Sequence, residues 1–147
     1  MLNPPTPMSQ AEIDELLARD VLARLATIDR HGFPHVTPMW FGWHDGAVLM
    51  TSLADRPHLR RLEHNPHAGV CVDVEDPFLP DGGRPNRQVR VFGLAEMFPD
   101  EGSKWTDAIT HKYVHGPAAA ARVAETATQD RVVISLRPTR LLAVSSV

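Results

Sequence analysis

The chain has 147 residues, 43% of them hydrophobic, and a net charge of −3 with its histidines neutral. That is one domain's worth of sequence, long enough to bury a core, and an isoelectric point near 6.2 argues against a dedicated nucleic-acid-binding domain, which is usually basic. One cysteine, Cys71, excludes an internal disulfide. With no signal-peptide layout in MLNPPTPMSQ and no apolar run near the roughly 20 residues that span a bilayer, a cytoplasmic protein without a membrane partner is expected.

Residues 1–8 are proline-rich and read as a flexible N-terminal arm ahead of a single domain over 9–147. Ser9-Gln10-Ala11-Glu12 has the form of a capping box, and Ile13, Leu16, Leu17 and Val21 follow at helical spacing, so a helix is expected to about Arg19. The period then changes. ARLATID is strand-like, RHGF is a turn, and PHVTPMWFGW is extended. His44-Asp45-Gly46 closes a hairpin into AVLMTS, because Asp-Gly suits a turn that needs positive φ.

A short helix over RPHLRRLEHN comes next. AGVCVDVED alternates, DPFLPDGGRPN is turn chemistry, and QVRVFGLAEMF is a long strand whose Gly93 marks a bulge or a close approach. A longer helix is expected from about Ser103 through WTDAITHKYV, resuming in AAAARVAETA, and RVVISLRPTRLLAV supplies one or two closing strands. Six or seven strands separated by turns predict a mainly β protein, a small antiparallel barrel with peripheral helices.

The stretch TSLADRPHLRRLEHNP, residues 51–66, carries the chemistry. Thr51 and Ser52 end a strand, and Asp55 or Arg56 caps the next helix. Pro57 suits its first turn, where the missing N–H has no partner to lose. Free N–H groups and a positive dipole end favour a phosphate there, and Arg56, Arg60 and Arg61 add planar forks that pair with phosphate oxygens. A solvated basic helix face is the plainer reading of the same residues.

Other chemistries find less support. His58, His64 and His67 surround this helix and His111 and His115 lie four apart, but no glutamate follows His111 as in a zinc protease helix, so no metal site is expected. Neither a GxSxG motif nor a Walker loop is present, and Cys71 reads as a small buried hydrophobe.

In their order, ARLATIDRHGFPHVTPMWF, AVLMTS with its arginine-rich helix ending LEHNPHAGV, RQVRVFGLAE and RVVISLRPTRLLAV resemble the flavin-binding split barrel of the pyridoxamine 5′-phosphate oxidase-like family, over about residues 10–144. The resemblance implies a homodimeric flavin-dependent oxidoreductase with FMN across the dimer interface and a small organic substrate. Thr37, Pro38, Met39, Trp40 and Phe41 would line the ring, largely through backbone groups, and Met50, Thr51 and Ser52 the ring and ribityl-phosphate regions. Arg56, with one or more of His58, Arg60 and Arg61, would hold the phosphate, and Gln88 would reach in from the other part of the site. Trp105 and Tyr113 would be neighbours of the pocket. No side-chain acid or base is implied.

Two departures shape the reading. Pro57 and His58 stand where the family has a lysine, and the C-terminal Trp-Arg and Arg-x-His elements that recognise pyridoxal phosphate are missing, so vitamin B6 oxidation is not expected. A branch of short members uses a deazaflavin coenzyme in place of FMN and shares the PHVTP element. A non-catalytic flavin- or haem-binding protein on the same barrel is the remaining alternative.

Overall fold

The computed structural model describes residues 4–146. Its first pairing lies inside the expected arm. Strand β1 (Thr6–Pro7) runs antiparallel to the end of the chain, with Thr6 opposite Ser145 and Pro7 opposite Val144. Met8 follows into the core, its N–H donating to the Ala143 carbonyl at 3.0 Å. Residues 6–8 therefore belong to the fold rather than to a loose arm, held by that strand pairing and by the burial of one large apolar side chain. Residues 1–3 of the expected arm lie outside the described residues.

The capping box forms as read: Glu12 N–H donates to Ser9 Oγ at 3.2 Å and Ser9 N–H to the Glu12 carboxylate at 2.6 Å. The helix it starts, α1 (Gln10–Ala18), buries Ile13, Leu16 and Leu17. Strands β2 (Ala23–Ile28) and β3 (Pro34–Met39) pair as a hairpin. The extended segment then breaks at Trp40-Phe41, and β4 (Gly42–His44) pairs with β5 (Ala47–Leu53) through a turn in which Asp45 and Gly46 have φ of 49° and 69°. Helix α2 (Pro57–His64) begins with its proline in the first turn and Arg56 as N-cap. Strands β6 (His67–Glu75) and β7 (Asn86–Pro99) follow, then α3 (Lys104–Tyr113), α4 (Gly116–Thr126), β8 (Arg131–Leu136) and β9 (Arg140–Ser146).

Every strand pairing is antiparallel, and the path runs β3-β2-β6-β7-β8-β5-β4 with β9 beside β7. Among the described residues nine strands appear where six or seven were expected. The surplus comes from β1 and β4, of two and three residues, too short to show an alternating pattern. β7 joins the two halves of the split barrel: residues 86–92 lie between β6 and β9, and 95–99 pair with β8. Gly93 sits at the change of partner, where an added Cβ would lie 2.4 Å from the Arg137 carbonyl oxygen. The expected close approach is thus a backbone passing over this residue.

The core is lined by Leu25, Val48, Met50, Val70, Val72, Val89, Val91, Ile134 and Leu136, closed by Leu16 and Leu17 of α1 and by Leu59 and Leu62 of α2. A fully buried side chain of this size contributes about 1.5–3 kcal/mol. β5 is buried on both faces. Val48 and Met50 enter this core, while Ala47 and Leu49 join Val133 under Trp105 of α3. That two-sided burial positions the site, because it sends Thr51 out on the α3 side. Among the described residues no helix is long and apolar enough to cross a membrane.

Candidate functional site

A cleft opens where β3, β5 and β8 meet α3 and α4. Its first lobe, of about 370 Å³, has Leu22, Pro38, Met39, Trp40, Ile109 and Thr110 in its walls. The second, of about 470 Å³, is walled by Ser52, Arg56, His58, Glu125 and Gln129 among others. Met39, Thr51, Arg122, Thr126 and Arg131 border both, so the two lobes form one groove. Trp40 belongs to the first lobe alone and Arg56 to the second alone, while Arg122 and Arg131 border both.

The aromatic end is built on Trp40, whose ring stacks on Tyr113 at 4.9 Å between centroids and 2° between planes. The Arg122 guanidinium lies 4.5 Å from the Trp40 ring centroid. Tyr113 is anchored by donating its O–H to the Val21 carbonyl at 2.6 Å. Burial pushes its phenol up to about 12, so it serves as a fixed platform and not as an acid at neutral pH.

At the junction, Arg131 is held by three partners. Its Nε–H donates to Thr106 Oγ1 at 3.2 Å, one terminal nitrogen to Gln129 at 2.9 Å, and the other to Thr51 Oγ1 at 3.3 Å. Thr106 Oγ1 also lies 2.6 Å from an Asp100 carboxylate oxygen and 3.0 Å from Thr51 Oγ1. A hydroxyl has one proton, and the carboxylate takes it at the shorter distance. That leaves the Thr51 proton free for Thr106 Oγ1 or for a ligand. Asp100 is itself fixed by the N–H groups of Trp105 and Thr106 at the start of α3.

Arg56, Arg122 and Arg131 all face the cationic lobe, and among the described residues none of them forms an ion pair with a carboxylate. The Arg131 guanidinium is held below its ordinary pKa by burial first and then by the nearby Arg122, with Arg56 adding to it against the opposing Asp100. It remains a cation at neutral pH. Three cations around one space repel one another until an anion enters.

His58 does not supply the expected lysine's charge. Its Nε2 lies 2.9 Å from Ser52 Oγ, and Ser52 donates its own proton to the Leu53 carbonyl at 3.1 Å. Nε2 is therefore the donor of that pair. Burial, with Arg61 and Arg56 nearby, holds the imidazole below its ordinary 6.5. Its structural effect is to orient Ser52 Oγ.

Of the residues named from the sequence, Thr37, Pro38, Met39, Trp40, Thr51, Ser52, Arg56 and His58 come together in the groove. The side chains of Phe41 and Met50 do not: both are fully buried in the core. Strand alternation is the reason for Met50, since successive side chains point to opposite faces and Thr51 takes the groove. Phe41 turns inward beside the Lys112 ammonium, which donates to its carbonyl at 3.0 Å. Arg60 donates to the Asp55 carbonyl and Arg61 to Thr27 Oγ1, both away from the groove. Gln88 lies on β7 opposite Asp73 and Val144 and lines neither lobe. Trp105 packs on the far side of α3, against His44 and the Leu49 cluster.

Arg122, Arg131, Thr106, Thr126 and Gln129 were not foreseen. Only the β5–β8 register, which sets Leu53 opposite Arg131 and Thr51 opposite Val133, puts Arg131 on the face of Thr51. Among the described residues no three His, Cys, Asp or Glu side chains gather as a metal site requires.

The sequence model of the pyridoxamine 5′-phosphate oxidase family matches residues 9–145. Among solved structures, an F420 reductase is 30% identical, with 87% of this chain and 94% of that one covered and a TM-score of 0.63. A conserved hypothetical protein from Mycobacterium tuberculosis is 23% identical over 98% of this chain and 89% of that one, TM-score 0.76. An FAD- and haem-binding protein from Mycobacterium smegmatis is 21% identical over 98% and 74%, TM-score 0.71. No curated protein matches the chain. A match across nearly the whole domain, on a fold whose β7 joins two antiparallel halves, makes the chain a member of the pyridoxamine 5′-phosphate oxidase family.

Proposed function

We propose that the protein is a flavin- or deazaflavin-dependent oxidoreductase, working as a homodimer on a small organic substrate. One observation carries the reading: a lobe walled by Trp40 opens directly into one bordered by three guanidiniums that, among the described residues, have no carboxylate partner. A planar ring with an anionic tail fits that sequence of surfaces. FMN, the cofactor implied by the family resemblance, has this form. The 30% identity to an F420 reductase favours the deazaflavin coenzyme as the second reading.

Bound there, the cofactor supplies hydride chemistry that protein side chains lack. The chain's own residues position it. Trp40 and Met39 exclude water from the ring end, Thr51 offers a hydroxyl proton at the junction, and Arg56 takes the tail. No side chain of the groove is assigned as the acid or base, and solvent supplies the proton.

The dimer is supported by the outward face of the sheet formed by β2, β3, β6 and β7. Val36, Phe92 and Leu94 are exposed at 66%, 39% and 51%, beside an almost wholly apolar groove lined by Ala26, Ile28, Pro34, Gly69 and Phe92. Gln88 lies on the same face, two residues from Arg90 and four from Phe92 along β7. A second copy packed there would bury Gln88 in the interface.

The visible spectrum of freshly purified protein, followed by titration with FMN, FAD and a deazaflavin coenzyme, tests the reading. Saturable binding of one of them with reversible reduction is expected. If none of the three binds, the proposal fails. Sedimentation equilibrium tests the dimer, and a monomer at micromolar concentration would remove it.

A further inference from the structure

Phe41 lies in the break between β3 and β4 and is fully buried, so its backbone N–H and carbonyl each need a partner. Two consecutive side chains of α3 supply them. Lys112 Nζ donates to the Phe41 carbonyl at 3.0 Å, and the Phe41 N–H donates to the Tyr113 hydroxyl at 3.3 Å. We infer that Lys112, with Tyr113 beside it, is a positioning residue for the ring end of the groove. By holding Phe41 inward, the pair turns the preceding residue, Trp40, onto the Tyr113 ring and into the groove wall. The effect on cofactor binding rests on the flavin or deazaflavin reading and deepens it, whereas the placement of Trp40 stands without any ligand.

Both side chains reach beyond Phe41. The Lys112 ammonium also donates to the Leu17 carbonyl at 3.0 Å, in the last turn of α1, where carbonyls have no partner inside the helix. Tyr113 donates to the Val21 carbonyl at 2.6 Å, between α1 and β2. The end of α3 thus pins the α1–β2 connection to the β3–β4 break. On the far side of Phe41, Trp43 of β4 is tied to α1 separately, its Nε1–H donating to Asp14 at 2.9 Å. Trp40 therefore stands beside a residue whose backbone is fixed on both sides.

A lysine suits this point. Its ammonium gives two of three N–H groups to carbonyls, and a charged donor makes the stronger hydrogen bond. The charge lies 3.7 Å from the Phe41 ring centroid and 5.2 Å from that of Tyr113, a contact that strengthens when water is excluded. Among the described residues no carboxylate forms an ion pair with it. Burial, opposed by Asp20, draws its pKa down to about 8, so the cation persists at neutral pH. Lys112 lines neither lobe of the groove, and it acts on a ligand only through Phe41, Tyr113 and Trp40.

Near-ultraviolet circular dichroism of the ligand-free protein reads the Trp40–Tyr113 stack, and Trp40→Phe defines the part of the spectrum that belongs to Trp40. Lys112→Met keeps the length of the side chain without its charge or donors. It should lose at least about half of the Trp40 signal in the folded protein, because two carbonyls are left without their donor. Lys112→Arg keeps a cation with several N–H groups and should restore most of the signal. Whichever of FMN, FAD and a deazaflavin coenzyme the wild type binds should bind Lys112→Met about tenfold more weakly. A lysine that only stabilised the fold would lower the melting temperature of Lys112→Met and leave the Trp40 signal at its wild-type value, and that result would overturn the inference. Unchanged cofactor affinity despite a lost signal would overturn it as well. Should Lys112→Met not fold, Tyr113→Phe makes the test on the other half of the clamp, since it keeps the stacking ring and frees the Phe41 N–H. A reduced Trp40 signal there supports the inference and a full one overturns it. If the Trp40 signal responds as expected but no flavin or deazaflavin binds the wild type, the cofactor reading fails and the positioning of Trp40 stands.

Discussion

Arg61 Nε donates to Thr27 Oγ1 at 2.8 Å, which ties α2 to β2 and takes this guanidinium out of the groove that Arg56 faces. Thr27 is 1% exposed, so its hydroxyl depends on that partner. Two arginines five residues apart on one basic stretch thus have different work. Arg61→Ala should cost about 1–3 kcal/mol of stability, as a buried hydroxyl loses its partner, and leave cofactor affinity within about threefold. Arg56→Ala should do the reverse, with affinity down about tenfold and stability within about 0.5 kcal/mol. Urea denaturation and cofactor titration on both variants read the two effects separately.

Met50 and Thr51 are neighbours in sequence and opposite in role. Met50→Ala should destabilise the fold by about 2–5 kcal/mol through the cavity it leaves, whereas Met50→Leu should cost less than about 1.5 kcal/mol and leave cofactor affinity unchanged. Thr51→Val keeps the shape but removes the hydroxyl shared with Arg131 and Thr106, and should lower cofactor affinity. A loss of affinity in Met50→Leu as large as in Thr51→Val would place Met50 at the ring after all.

Gly93 has no room for a side chain. A Cβ there would meet the Arg137 carbonyl oxygen at 2.4 Å, and this neighbour is backbone that cannot rotate aside. Gly93→Ala should therefore destabilise by about 1–3 kcal/mol. Alanine at Gly82, whose Cβ position meets nothing within 4 Å but whose φ is +86°, should cost only the backbone strain of that turn, of order 1–2 kcal/mol. Comparing denaturation midpoints of the two variants separates close approach from conformation.

His58 makes stability depend on pH. Its folded pKa lies below the ordinary 6.5, mainly through burial and then through Arg61 and Arg56. The unfolded chain therefore binds the proton more readily, and the contribution present above 6.5 is lost as the pH falls through the folded value. His58→Gln keeps a donor for Ser52 without titrating. The stability difference between about pH 5.5 and about pH 7.5 should shrink in that variant, measured by urea denaturation. An unchanged difference would assign the acid sensitivity to other groups.

What could be read from the sequence was what neighbouring residues determine. The capping box at Ser9 and Glu12, the Asp45-Gly46 turn, Pro57 at the start of α2 and the alternation of β6 each depend on backbone geometry within a few residues. The same reasoning reached Thr51, Ser52 and Arg56, because strand end and helix start are adjacent. It did not reach Arg131, which enters the groove only through the pairing of β8 with β5, nor Arg122, which arrives on α4 and covers Trp40. It also could not say that Arg61 turns to Thr27, or that Met50 enters the core. Local periodicity follows from the backbone of a single segment, whereas the direction and company of a side chain follow from registers between segments far apart in the chain. The sequence alone therefore determined the elements and one edge of the cleft, and the tertiary structure decided which cations face each other across it.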